Sequence, residues 1–413
     1  MILAKGIAAI ILFIFVAYLF SADKKAINKR TVLVALGLNI GFAFLVLAYP
    51  PGNEALAAAS KKVSAVLHYG SAGINFLFGN LNKLEGVGFI FAFKALPMII
   101  FVSALLSILY HFGVMQLIIK LLGGGVGWLL KVSKIEGVVS AANIFNGMST
   151  STLVAKPYID KITKSEMFTI VTVGLASVGA DVLIGYVMMG IPMEYLLAAI
   201  FMCVPSSILM AKILYPETEE IAYVIDDKGL DGSGQPKAVN FVAAAASGAK
   251  QGMSIYLAVF AMLMAFISLV AMFNGFLSWL GGFAGYPELS FEMITGWIIA
   301  PIAWLIGADW ADAPTVGALI GTKTIINEFV AYGQLGPMLG KGVMAAHSEV
   351  VAIFALCGFA NIGSVAILVG VIGELAPQRQ AWVAQFGFRA LLAATLANLL
   401  NAAVAGTVVM LVS

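Results

Sequence analysis

Residues 135–160 read IEGVVSAANIFNGMSTSTLVAKPYID, and residues 312–333 read DAPTVGALIGTKTIINEFVAYG. Each is apolar at both ends with a polar, glycine-containing middle. One helical crossing of about 30 Å of hydrocarbon takes roughly 20 residues, so neither stretch can cross twice. Both read as re-entrant hairpins, with Gly147 and Gly321 at tips where helix becomes loop. Non-helical backbone at membrane depth is tolerated only where it is buried in protein or lines a wet cavity. The tips resemble each other, Gly147-Met-Ser-Thr150 against Gly321-Thr-Lys-Thr324. Each hairpin precedes a helix with a polar interruption, around Ser177 and around Asn361. Broken segments in corresponding halves are the sign of an inverted repeat with a binding site near the bilayer midplane.

The surrounding chain is apolar. Its 413 residues include 23 Lys or Arg and 21 Asp or Glu, a net charge of +2, with 61% hydrophobic and 11% charged residues. A soluble domain carries about 25% charged residues, so a soluble enzyme, a nucleic-acid binder and a disordered chain are excluded. A charge of +2 offers no field for phosphates. Cys203 and Cys357 lie inside apolar runs, which argues against a disulfide framework or a zinc cluster.

Eight runs are long and apolar enough to cross a membrane: about 6–22, 31–49, 89–111, 167–190, 194–214, 254–281, 350–373 and 386–411. The first reads as a retained helix, because Lys24, Lys25, Lys29 and Arg30 follow it and no small-residue cleavage pattern does. Those charges place the 23–30 loop in the cytoplasm, with both termini outside. Lys120, Lys131, Lys134, Lys156, Lys161 and Lys164 fall on the same inner side, whereas Lys61, Lys62 and Lys83 fall outside. Residues 54–69 and 114–131 read as amphipathic interfacial helices, and 216–238 as a hydrophilic cytoplasmic loop. The expected fold is an all-α polytopic membrane protein of about eight transmembrane helices, with two re-entrant helical hairpins in inverted repeats and interfacial helices. Its parts are 1–85, with the N-terminal helices; 86–215, the first repeat with hairpin 135–160; 216–252, a cytoplasmic loop and interfacial segment; and 253–413, the second repeat with hairpin 312–333.

Ionisable groups inside a membrane cost about 3 to over 10 kcal/mol and are therefore functional candidates. Glu328 sits in the second hairpin beside Asn327 and near Thr324, and reads as a substrate contact. Asp181 lies one turn after Ser177 and reads either as a solute or proton site or as a structural ion pair with a lysine. Lys323 flanks the second tip. Asn143, Ser177, Asn361 and Ser364 add short oxygen-bearing side chains near the two breaks. Asn143 and Ser177, with freed hairpin carbonyls, suit Na⁺. Gly317-Ala-Leu-Ile-Gly321-Thr-Lys323 has the wrong spacing for a phosphate loop. His68, His111 and His347 are scattered, and no nucleophilic triad can be assembled. An enzyme is not expected.

These residues carry a family resemblance. Ser140-Ala-Ala-Asn143-Ile-Phe145, Lys156-Pro157-Tyr158 and Gly174-Leu-Ala-Ser177-Val178 resemble the first hairpin and following helix of concentrative nucleoside transporters. Ala318-Leu-Ile-Gly321-Thr-Lys323 with Asn327-Glu328-Phe329 resembles the second hairpin. Cys357-Gly-Phe359-Ala-Asn361 with Ser364 resembles the helix after it. The resemblance runs from about residue 85 to the C-terminus.

It implies a homotrimer in the cell (inner) membrane, each protomer with its own site between the hairpins and an elevator-like transport domain. It implies that Glu328, Asn361 and Ser364 hold ribose hydroxyls, with Phe359 beside them. It also implies that Asn143, Ser177 and the carbonyls of Asn146 and Val178 hold Na⁺, the coupling ion, with no other cofactor. The departure is at the tips. Where the family has Gly-Gln-Ser/Thr-Glu, this chain has Gly147-Met148-Ser149-Thr150, and Gly-Gln-Lys becomes Gly321-Thr322-Lys323. Asp181 replaces a small residue. The sugar-reading half of the pocket is kept and the base-reading half is changed. The expected solute is a nucleoside or a nucleoside-like polar molecule, with ordinary uridine disfavoured. Proton coupling through Asp181, and an uncoupled channel or binding protein, remain alternatives on the same scaffold.

Overall fold

The computed structural model describes residues 2–79, 90–221 and 238–412. Lys83, the expected boundary at residue 85 and the core of the 216–238 loop lie outside them. Among the described residues all regular structure is helical: α1 Ile2–Leu19, α2 Lys29–Ala43 with a π turn at Phe44–Ala48, α3 Pro50–Phe78, α4 Phe91–Lys94, α5 Met98–His111, α6 Val114–Leu130, α7 Lys134–Leu153, α8 Lys164–Ala176, α9 Ala180–Met188, α10 Met193–Leu214, α11 Phe241–Phe283, α12 Phe291–Leu305, α13 Ala313–Ile325, α14 Glu328–Leu335, α15 Ala346–Leu356, α16 Ile362–Leu375 and α17 Pro377–Val412.

Seven described helices or helix pairs are long and apolar enough to cross a membrane. The expected span at 350–373 is instead two short helices, α15 and α16, parted at residues 357–361. Cys357 and Asn361, at φ −73° ψ 88° and φ −140° ψ 165°, end one helix and begin the other. The expected interfacial helix at 54–69 is longer, the 29-residue α3, while α6 matches the expected one at 114–131.

Helix starts follow their caps. Ser133 with Glu136 and Thr163 with Glu166 form capping boxes on α7 and α8, each satisfying two orphan N–H groups. Asn240, Asn327 and Asn361 cap α11, α14 and α16 with their side-chain oxygens.

The chain repeats this architecture. In the first half α6 crosses α7 at Gly123 and Gly137, where a Cβ on Gly137 would lie 2.3 Å from the Gly123 carbonyl oxygen. In the second half α12 crosses α13 at Gly296 and Gly317, where a Cβ on Gly317 would lie 2.8 Å from the Gly296 carbonyl oxygen. Close backbone approach between membrane helices needs such small residues. Ten residues after Gly137 comes the break at Gly147, and ten after Gly317 comes the break at Asn327. A further thirty residues on, at Ser177 and Cys357, each half interrupts its next long helix. The second tip is therefore at Ile326–Asn327 rather than Gly321. Gly321 lies within α13, and a Cβ there would collide with Thr295 at 2.4 Å.

The broken helices, with α10 and α17, form the buried centre, whereas the apolar stretch of α11 is exposed along its length. At one end of this centre the α1–α2 loop, the α6–α7 turn and the end of α10 meet. There the Lys212 ammonium and the Glu136 carboxylate, both buried, lie 2.6 Å apart. Thr31 Oγ1 donates to the Leu130 carbonyl at 2.9 Å. Lys24, Lys25, Lys29, Arg30, Lys131 and Lys134 therefore belong to one end of the molecule.

Candidate functional site

Two interrupted helices cross where their backbones leave the helix. Phe359 N–H donates to the Ser177 carbonyl at 3.4 Å. Asn398, in the uncharged part of α17, stitches both breaks. Its Nδ2 donates to the carbonyls of Ala176 at 2.6 Å and Cys357 at 3.0 Å. Its Oδ1 accepts from Lys323 Nζ at 2.6 Å, and Lys323 also donates to the Ala355 carbonyl at 2.8 Å. Helix ends freed inside a membrane need such partners. Lys323, inside α13 rather than at a Gly321 tip, thus holds the frame together.

Glu328 is the first residue of α14, directly after the second break, and is 2% exposed. Tyr186 OH donates to its Oε1 at 3.0 Å and Asn361 Nδ2 reaches its Oε2 at 3.4 Å. Asn361 in turn accepts from the Ser364 backbone N–H at 2.8 Å. Glu328, Asn361 and Ser364 are therefore gathered on two helix starts, Glu328 on α14 and Asn361 with Ser364 on α16. Tyr186 was not singled out by sequence. Its signal was its place five residues after Asp181 on the same short helix. Asn398 was missed as well; a lone amide in an apolar run was the available sign.

At the first tip Gly147 has φ 59° and ψ 174°, a conformation suited to glycine. Asn143 is fully buried, and its Oδ1 accepts from Ser151 Oγ at 2.9 Å while its Nδ2 donates to the Val173 carbonyl at 3.0 Å. Ser177 Oγ lies 3.2 Å from the Val178 carbonyl oxygen. Asn146 Nδ2 donates to Tyr110 OH. The tip and the α8–α9 break are in backbone contact, since a Cβ on Gly179 would lie 2.2 Å from the Gly147 nitrogen. Asn143, Asn146, Ser177 and Val178 are consequently neighbours of one junction. Their donors are amide, hydroxyl and carbonyl oxygens, the chemistry a hard cation prefers. Among the described residues no group of three or more His, Cys, Asp or Glu is placed to hold a metal.

The altered tip residues separate. Met148 is buried, its Cβ 3.2 Å from where a Gly174 Cβ would stand. Thr150 turns to α11, its Oγ1 accepting from Gln251 Nε2 at 2.7 Å; Gln251 also escaped notice in the sequence. Ser149 is half-buried beside them. Thr322 is wholly buried on α13 with a hydroxyl that has no partner. Asp181, 6% exposed in the first turn of α9, has an Oδ1 without a hydrogen-bond partner. A Cβ on Gly147 would meet that Oδ1 at 3.6 Å and the ring of Phe359 also at 3.6 Å.

Comparison with known proteins agrees with this architecture. Residues 8–81 match the model for the N-terminus of Na⁺ dependent nucleoside transporters, 92–193 a nucleoside-recognition gate model, and 195–406 the model for the C-terminus of the same transporters. An uncharacterised transporter of Haemophilus influenzae is 44% identical over 97% of both chains. Nucleoside permease NupC of Helicobacter pylori is 40% identical, over 95% of this chain and 94% of its own. The structure of CNTnw in an inward-facing substrate-bound state superposes with TM-score 0.94 at 43% identity, covering 100% of this chain and 99% of that one. With matches along its whole length and a buried crossing of broken helices at its centre, the chain belongs to the concentrative, Na⁺ dependent nucleoside transporter family, multi-pass carriers of the cell membrane rather than enzymes.

Proposed function

We propose that this nucleoside transporter is a Na⁺-driven importer that holds the sugar of a nucleoside between the two broken-helix arms. The observation that carries the reading is the cluster of Glu328, Asn361 and Ser364 on two converging helix starts, those of α14 and α16. Tyr186 and Asn361 orient the carboxylate of Glu328 while each of its oxygens keeps a further lone-pair direction. Ribose hydroxyls donate to such a carboxylate in short, charge-assisted bonds, and accept from the amide of Asn361.

Sodium binds at the neighbouring junction, through Asn143, Ser177 and the carbonyls of Asn146 and Val178. The first tip then serves both ligands, because Gly147 touches the α8–α9 break on one side and faces Phe359 on the other. A cation that orders this tip lowers the cost of ordering it for substrate, which is the physical content of coupling. An elevator movement is supported by the way Asn398 and Lys323 bind the broken helices into one body. A homotrimer is supported by α11, which at 1.5 Å per residue is about 65 Å long and exposes an apolar face. Gathering of the basic residues at the Lys212 end supports a cytoplasmic location for that end.

Equilibrium binding to the purified protein tests the reading. Nucleoside affinity is expected to rise about tenfold when Na⁺ replaces choline, and Na⁺ affinity to rise by the same factor when nucleoside is saturating. Asn143→Ala is expected to remove the Na⁺ dependence. Nucleoside affinity indifferent to Na⁺ overturns the coupling and favours a proton route through Asp181.

A further inference from the structure

The internal repeat gives Asp181 a counterpart. Counted from the tip residues Gly147 and Asn327, Asp181 and Asn361 are both the thirty-fourth residue onward. Both are also the fourth residue after the C-caps Ser177 and Cys357. Asn361 faces the bound carboxylate of Glu328 from the second half. Asp181 faces the same crossing from the first half, beside Gly147 and the Phe359 ring.

The two carboxylates differ in satisfaction. Glu328 has a donor on each oxygen, from Tyr186 and Asn361. Asp181 Oδ1 has none, although the residue is 6% exposed. A buried polar atom left without a partner is costly and calls for one, such as a ligand group, an ion or a water. Two of the groups at the first tip do not compete for a base. Met148 is packed against Gly174 and offers only a thioether, and Thr150 is engaged by Gln251.

We propose that Asp181 is the base-reading residue of this transporter and selects nucleosides whose base presents two adjacent N–H donors, the pattern of guanine. This rests on the nucleoside reading above. A carboxylate only accepts, and its two oxygens match two parallel donors such as guanine N1–H and the exocyclic amine. Uracil offers one N–H between two carbonyl oxygens, which would approach the carboxylate lone pair to lone pair. Adenine offers a single amine beside an acceptor nitrogen. Rejection of the wrong pattern is strong because a buried polar partner is then left unpaired.

The test compares guanosine, inosine and uridine, measured as Kd by titration calorimetry in Na⁺ on the full-length protein. Inosine differs from guanosine only by the exocyclic amine. Guanosine is expected to bind at least tenfold tighter than inosine and tighter still than uridine. In Asp181→Asn and Asp181→Ser the guanosine-to-inosine ratio is expected to fall to within about twofold of unity. A structural role for Asp181 would instead weaken both nucleosides equally and preserve the ratio. The unsubstituted protein alone decides if a variant fails to fold. Equal affinity for guanosine and inosine, tighter binding of uridine, or a ratio that survives both substitutions overturns the assignment while leaving nucleoside transport intact. Binding of no nucleoside removes the assignment together with the reading beneath it.

Discussion

Glu328 and Lys323 are two buried charges with different surroundings. Both stand next to the second break. Lys323 is consumed by two protein acceptors, and Glu328 is oriented by two donors that leave it room for more. Replacing Glu328 with Gln keeps the volume and removes the charge that strengthens a bond to a hydroxyl. Nucleoside binding is expected to fall at least tenfold, since hydrogen bonds to charged groups contribute about 1.5–3 kcal/mol. Unchanged affinity, measured by titration, would show that the carboxylate serves only Tyr186 and Asn361. At this scale sequence reading went far. Glu328, Asn361, Ser364, Asn143 and Ser177 stood out because polar side chains are rare in apolar runs, and the structure gathers them at two adjoining junctions. Tyr186, Gln251 and Asn398 did not stand out, because a tyrosine or a single amide in a helix becomes informative only when its partner 100 residues or more away is known, Glu328, Thr150 and Ala176 respectively.

Among the elements, breaks were more legible than their positions. The resemblance between Gly147-Met-Ser-Thr and Gly321-Thr-Lys-Thr suggested glycine tips in both halves. Only the first is one. The second break is made by Asn327, whose side chain caps α14 through the Val330 N–H at 3.0 Å, so no glycine is required. The 350–373 run looked like one span because apolar composition continues through residues 357–361 while the backbone does not. Local caps were also decisive at the basic end, where Glu136 serves the α7 capping box and the Lys212 ion pair together. Lys212→Met should lower stability by about 3–5 kcal/mol, because the buried Glu136 is left without its counter-charge. Thermal unfolding in detergent measures this, and Lys212→Met combined with Glu136→Gln should recover much of the loss. A single variant as stable as the parent would show that water reaches the pair.

Across the whole molecule, composition alone separated this chain from soluble proteins, and the exposed apolar surface of α11 is what a bilayer or another subunit must cover. The buried centre holds helices that end and restart within it, packed against the continuous α10 and α17, so the polar groups at the crossing are positioned by backbone breaks rather than by loops. Asn398 and Lys323 tie those breaks into a unit, and the ligands proposed for sodium and for sugar belong to that same unit. Movement of either ligand would then carry the other. The most direct measurement is uptake of a radiolabelled nucleoside, guanosine first, by proteoliposomes under an inward Na⁺ gradient. Accumulation above the external concentration, lost when choline replaces Na⁺ and at least tenfold slower in Glu328→Gln, is the predicted result. Accumulation that persists without Na⁺, or none for any nucleoside, would contradict it.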